Sequence, residues 1–377
     1  MTRQLLLVLV AVVVCGGFMM HEVSISAQDT FAGSSKSVRR TNKTPELNST
    51  ASSSAEPAAI TAPAHPQHIV DFDGDGTTDF TVIRDNGGSP AGWYTFLNDG
   101  TFSKTRFQEW GVASVDYPEP ADYDGDHHTD LAIWRGPSGQ DAAAFWILNS
   151  FDGTVSIIPW GVEGDDPSVI GDYDGDGKAD AAIARYDYTA NTTTFWYLPT
   201  GGTSKGEKLA YQWGLATDYV YPGDFNGDGK QDFAVTRDSG NGTSEVWIHY
   251  STGNSSNDAS VSRLDHWGVF SDNYVPGDFD GDGVTDMAIA RKTGGIYEWW
   301  VRWSTDNSVH VTKWGADTDL ITQGDYDGDG KTDVAVWRRS DATFYVIASA
   351  TGSPVIFRWG VPGPTSPDTP AAGYNVE

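Results

Sequence analysis

Residues 71–79 read DFDGDGTTD. Asp stands at positions one, three, five and nine of this stretch, and Gly at four and six. Alternate carboxylates in a tight loop aim hard oxygen donors at one centre, and glycine permits backbone angles that other residues resist. A single copy reads equally well as a polar Asp-Gly turn. The chain has six: DYDGDHHTD follows at 122, DYDGDGKAD at 172, DFNGDGKQD at 224, DFDGDGVTD at 278 and DYDGDGKTD at 325. Successive starts differ by 51, 50, 52, 54 and 47 residues. A period near 50 marks a repeated supersecondary unit, and it is far too long for a nonapeptide calcium β-helix.

A second marker keeps the same period. A Trp-Gly pair closes each unit, at Trp110, Trp160, Trp213, Trp267, Trp314 and Trp359. Between loop and marker lie strand-like runs such as DFTVIR, GWYTFL and TFSKTRFQEW, divided by Gly, Asn, Asp and Ser clusters. A short HIV run precedes the first loop. About four short strands per unit, with no helical period, predict an all-β protein: a β-propeller of six blades, each of four antiparallel strands. The tail DTPAAGY aligns with the start of a seventh unit but has no acidic loop, which predicts that it pairs with the first blade. Seven blades would need strands from the linker or from this tail.

The loops nominate their own ligands. The sets are Asp71, Asp73, Asp75 and Asp79; Asp122, Asp124, Asp126 and Asp130; Asp172, Asp174, Asp176 and Asp180; Asp224, Asn226, Asp228 and Asp232; Asp278, Asp280, Asp282 and Asp286; Asp325, Asp327, Asp329 and Asp333. The seventh-position carbonyl completes each set: Thr77, His128, Lys178, Lys230, Val284 or Lys331. All-oxygen donors suit Ca²⁺ and argue against zinc or copper. An EF-hand needs Glu at position twelve and flanking helices. Here position twelve is Val82, Ile133, Ile183, Val235, Ile289 or Val336, inside an apolar run. The ions, up to six, are therefore expected to be structural. The second loop has His127 where the others have Gly, which predicts a weaker or distorted site.

These repeats resemble the FG-GAP/VCBS family found in integrin-α-like propellers and many exported bacterial proteins. The motif D-x-[DN]-G-D-x-x-x-D followed by an apolar strand carries the resemblance over about residues 67–360. It implies calcium held between the first two strands of a blade, and a role in adhesion or in binding glycan or protein. Some such propellers occur in polysaccharide lyases, so a carbohydrate-active enzyme is the alternative, and a purely structural surface domain is a third.

The net charge of −28 repels nucleic acid and anionic membranes. The loops supply 23 Asp residues, much of that charge, and six calcium ions would cancel twelve negative charges. Residues 1–27 read as a secretory signal peptide: Arg3, an apolar run over 5–14, then the small residues Ser24, Ser26 and Ala27. The mature chain is expected to have no membrane span and to be secreted, at the cell surface or in the periplasm. Cys15 is the only cysteine, so no disulfide staples the exported fold. Residues 28–66, rich in Ser, Thr, Ala and Pro, are expected to be a disordered linker, with the propeller over 67–377.

No G-x-S-x-G elbow, H-E-x-x-H, P-loop or nucleophilic cysteine nominates a catalytic residue. An Arg recurs five residues after each ninth-position Asp: Arg84, Arg135, Arg185, Arg237, Arg291 and Arg338. Such repetition is what packing produces, so each Arg is expected to stack on a Trp or to bond a carbonyl or carboxylate of a neighbouring blade. The alternative is a guanidinium ring facing an acidic ligand. The variable loops after each Arg, opposite the metal loops, are the expected ligand surface. The aromatic run 297–303 is expected to serve mainly the core.

Overall fold

The computed structural model describes residues 70–87, 90–100, 104–138, 142–201, 204–251, 262–363 and 368–372. The expected signal peptide and linker lie outside them. The described chain is all β. The first blade contains β1 (Phe80–Arg84), β2 (Gly92–Phe96) and β3 (Thr105–Glu109). The second contains β4 (Asp116–Pro118), β5 (Leu131–Arg135), β6 (Ala144–Leu148) and β7 (Val155–Pro159). The third has β8 (Ala181–Asp187), β9 (Thr192–Leu198) and β10 (Leu209–Gln212), with the bridge Asp166–Ala184 in the place of an inner strand. The fourth has β11 (Tyr219–Val220), β12 (Phe233–Asp238), β13 (Ser244–His249) and β14 (Ser262–His266). The fifth has β15 (Asn273–Tyr274), β16 (Met287–Thr293), β17 (Ile296–Arg302) and β18 (Val309–Ala316). The sixth has β19 (Leu320–Ile321), β20 (Val334–Arg338), β21 (Thr343–Ala348) and β22 (Ser353–Arg358).

The last strand, β23 (Asp368–Pro370), pairs antiparallel with β1 and gives the first blade its inner strand. The tail thus closes a six-bladed propeller. The HIV run does not fill that place: Val70 is not in a strand, and His68 and Ile69 lie outside the described residues. The unit of sequence and the unit of fold are therefore out of phase. Each blade takes its inner strand from the residues that follow the preceding Trp-Gly pair.

Six apolar clusters fill the six blade junctions. Phe80, Val82, Tyr326 and Trp337 join the sixth blade to the first, and Val70, Trp93 and Ile133 join the first to the second. The strands after the metal loops read as nearly unbroken apolar runs because both faces of each blade are covered by neighbours. Outermost strands instead alternate, as in β7, where Val155 and Ile157 are exposed.

The Trp of each Trp-Gly pair is a cross-blade link. The indoles of Trp110, Trp160, Trp213, Trp314 and Trp359 donate to the carbonyls of Trp146, Trp196, Trp247, Tyr345 and Tyr94 in the next blade. Trp267 departs from this pattern: its indole N–H has no acceptor, and the Arg302 guanidinium lies 5.1 Å over its ring. In the run 297–303, Tyr297 and Trp299 are core residues, and Trp303 stacks on His310.

Candidate metal centres

The six acidic loops stand side by side at one end of the blades. The eighth-position N–H of each loop donates to the first-position carbonyl of the loop before it: Thr129 to Asp71, Ala179 to Asp122, Gln231 to Asp172, Thr285 to Asp224 and Thr332 to Asp278. Thr78 then donates to Asp325 at 2.5 Å and completes the circle.

Within a loop the positions divide the work. The first-position carboxylate accepts several backbone donors, as Asp71 does from Gly74 at 2.7 Å, Asp75 at 3.3 Å and Gly76 at 2.8 Å. The ninth accepts two. Asp79 takes the Phe72 N–H at 2.8 Å and the Asn98 N–H at 2.7 Å, tying the loop to the turn after β2. Third-position carboxylates differ. In Asp73, Asp174, Asp280 and Asp327, Oδ1 is buried and accepts nothing. An orphaned buried acceptor costs about 1–3 kcal/mol, more when charged. Beside it, in each of these four loops, two further carboxylates bring oxygens within 4.8 Å. Those are the properties of a cation cage, and the residues fit a hard divalent ion.

The fifth cluster of this kind, Asp122, Asp124 and Asp130, has the same spread but a different use of its third position. Asp124 Oδ1 accepts the Asp126 N–H at 3.2 Å. In the fourth loop, Asn226 Oδ1 accepts the Asp228 N–H at 2.9 Å. The two loops whose sequences depart from the pattern are thus the two whose third-position oxygen is already engaged. His127 sits at φ 66°, in the region that its counterparts occupy with glycine.

Crowding and burial perturb these acids. Burial lifts the carboxyls of Asp79, Asp180, Asp286 and Asp333 to about 7, Asp232 to about 8 and Asp130 to about 6. Burial, then the charges of neighbouring loop carboxylates, raises Asp73 as well. A bound cation would supply the missing counter-charge and hold all of them ionised.

The seventh-position side chains have a role that spacing did not reveal. Each lies against the fourth-position glycine of the preceding loop: His128 on Gly74, Lys178 on Gly125, Lys230 on Gly175, Val284 on Gly227, Lys331 on Gly281 and Thr77 on Gly328. A Cβ on Gly74 would come within 2.8 Å of His128 Nε2. These glycines are needed for room as well as for positive φ.

A sequence profile described as an FG-GAP-like repeat matches residues 71–133, 172–235 and 224–289. The chain carries FG-GAP-like repeats. None of the curated proteins compared matches it. Among solved structures, TolB from Acinetobacter baumannii is similar at 12% identity, with a TM-score of 0.49, covering 77% of this chain. The match spans 65% of the TolB chain.

The recurrent arginines of the FG-GAP-like repeats sit at the other end of the blades, and each is held twice. Arg84, Arg135, Arg185, Arg237, Arg291 and Arg338 pair with Asp368, Asp116, Asp165, Asp218, Asp272 and Asp319 at 2.5–2.8 Å. Their guanidinium groups also lie over Tyr94, Trp146, Trp196, Trp247, Trp300 and Tyr345. Packing is their role, with one correction: the carboxylate comes from the inner edge of the same blade, not from a neighbouring blade. The same Asp accepts a backbone N–H just past the Trp-Gly pair, as Asp116 does from Val112 at 2.6 Å. These six acids were missed, although an Asp five to nine residues after each of these Trp residues was the available signal.

Proposed function

We propose that this protein is an exported, calcium-stabilised propeller that serves as a binding module for a glycan or an extracellular protein. The orphaned third-position oxygens of four loops carry the metal part of this reading. All-oxygen donor sets favour calcium over softer ions, and modules of this kind work at roughly 10⁻⁴–10⁻³ M calcium. The apolar N-terminal run supports export. Partner binding is supported by a rigid scaffold carrying loops that differ from blade to blade. Melting metal-free protein with and without calcium tests the first part, and an unchanged Tm overturns it. A glycan array on the calcium-loaded protein tests the second, and retention of no glycan turns the reading to protein partners.

A further inference from the structure

One cleft breaks the repetition. It opens between the metal-loop ends of the first two blades, holds about 690 Å³, and is lined by Phe72, Leu97, Lys104, Arg106, His128 and Ser150 among others. Ligand sites commonly enclose about 300–1,000 Å³. Of the eight lining residues three are basic, Lys104, Arg106 and His128, and one, the metal-loop Asp73, is acidic, in a chain with 52 acids against 24 lysines and arginines. Of the eleven described arginines, eight are spent on carboxylates: six in the repeated pairs, with Arg263 and Arg302 sharing Asp265; Arg106, Arg339 and Arg358 are not. Among the described residues Arg106 has no carboxylate partner. Its Nη1 donates to the Phe72 carbonyl at 2.5 Å, which leaves the rest of an exposed guanidinium fork facing solvent. His128 Nδ1 lies 3.3 Å from the same carbonyl. That shared acceptor fixes both side chains beside the first metal loop. Lys104 stands next to them, bridged to Asp99 at 2.9 Å but with its side chain 62% exposed.

The other blades do not repeat this. Pairing to the third strand places Ser156, Leu209, Arg263, His310 and Val355 where the first blade has Arg106. Of these only Arg263 carries a guanidinium, and it is neutralised by Asp265. A planar fork matches a carboxylate in a two-point contact, whereas lysine offers a point charge. The apolar surfaces of Phe72 and Leu97 and the hydroxyls of Thr105 and Ser150 complete a lining suited to a sugar ring.

We propose that this cleft binds a carboxylate-bearing saccharide, with its acid group held by Arg106 and Lys104. The proposal rests on the binding-module reading above. It moves the site from the variable loops opposite the metal to the metal-loop end itself.

Calorimetry on the full chain in 1 mM calcium tests it, with a glucuronic-acid disaccharide as probe. The methyl ester of the same disaccharide and inorganic phosphate are the comparisons. The acid is expected to bind, the ester at least tenfold more weakly, and R106Q and K104M each to weaken the acid at least tenfold. The calcium-dependent Tm of both variants is expected to match wild type. That melt separates failure of the cleft from failure of the calcium reading. Absence of binding by the wild type, undiminished binding by either variant, or phosphate binding as tightly as the disaccharide would overturn the assignment.

Discussion

Removing the metal should make stability depend on pH in a direction opposite to the usual behaviour of surface carboxylates. Asp79 illustrates the magnitude. Burial lifts its carboxyl from 3.8 to about 7. At about 1.4 kcal/mol per pH unit, holding it ionised without a counter-charge costs about 4 kcal/mol. Four other loops carry a ninth-position acid at about 7 or 8. Whole domains are stable by about 5–15 kcal/mol, so a few such charges are decisive. The folded chain holds these protons more tightly than the unfolded one. Metal-free stability is therefore full below about pH 4 and is lost progressively as pH rises from there to about 7. Calcium replaces the protons and removes the loss. In thermal melts of exhaustively dialysed protein, the Tm difference between calcium-loaded and metal-free samples should be large at pH 8 and about half as large at pH 5.5. An equal difference at both values, or metal-free protein melting higher at pH 8, would refute the reasoning.

Calcium titration by calorimetry should resolve four tight sites and two weaker ones, the weaker being the loops of Asp124 and Asn226; six equivalent sites would contradict the hydrogen-bond pattern. Replacing His127 by Gly should raise stability by about 1 kcal/mol by relieving its positive φ, measured by urea unfolding. R237M should cost about 3 kcal/mol, because it strands the fully buried Asp218, and D218N in the same chain should recover a large part of that in a double-mutant cycle. Deleting residues 368–377 removes β23 and the partner of Arg84, so limited proteolysis should cut first within β1–β3.

Much of this was legible because repetition turns weak local signals into a strong joint one. The loop at 71–79 is ambiguous alone; six copies in register with Trp-Gly predict blade number, strand count and metal loops. The burial of position twelve, from Val82 to Val336, follows from the same strands. What stayed hidden lies where one repeat touches another. Asp116 and its counterparts belong in sequence to one unit and in space to the next blade. His128 and Lys178 act through the space above a neighbour's glycine, which no spacing within one repeat encodes. The cleft at Arg106 is invisible for the opposite reason: it occurs once, and its character depends on which side chains two different blades bring together there.

The offset between repeat and blade also bears on how such a chain grows and can be rearranged. A duplicated segment brings its own metal loop and three strands but borrows its inner strand from the segment before it. Inserting or losing one whole segment therefore changes the blade count while leaving every inner-edge pairing satisfied, the closing one included. A single repeat cut loose lacks a partner for its arginine and a floor for its loop. The two ends of the ring meet at β23 and β1, so new termini placed in any turn after an Arg would leave the same set of contacts. Circular permutation is thus built into the topology.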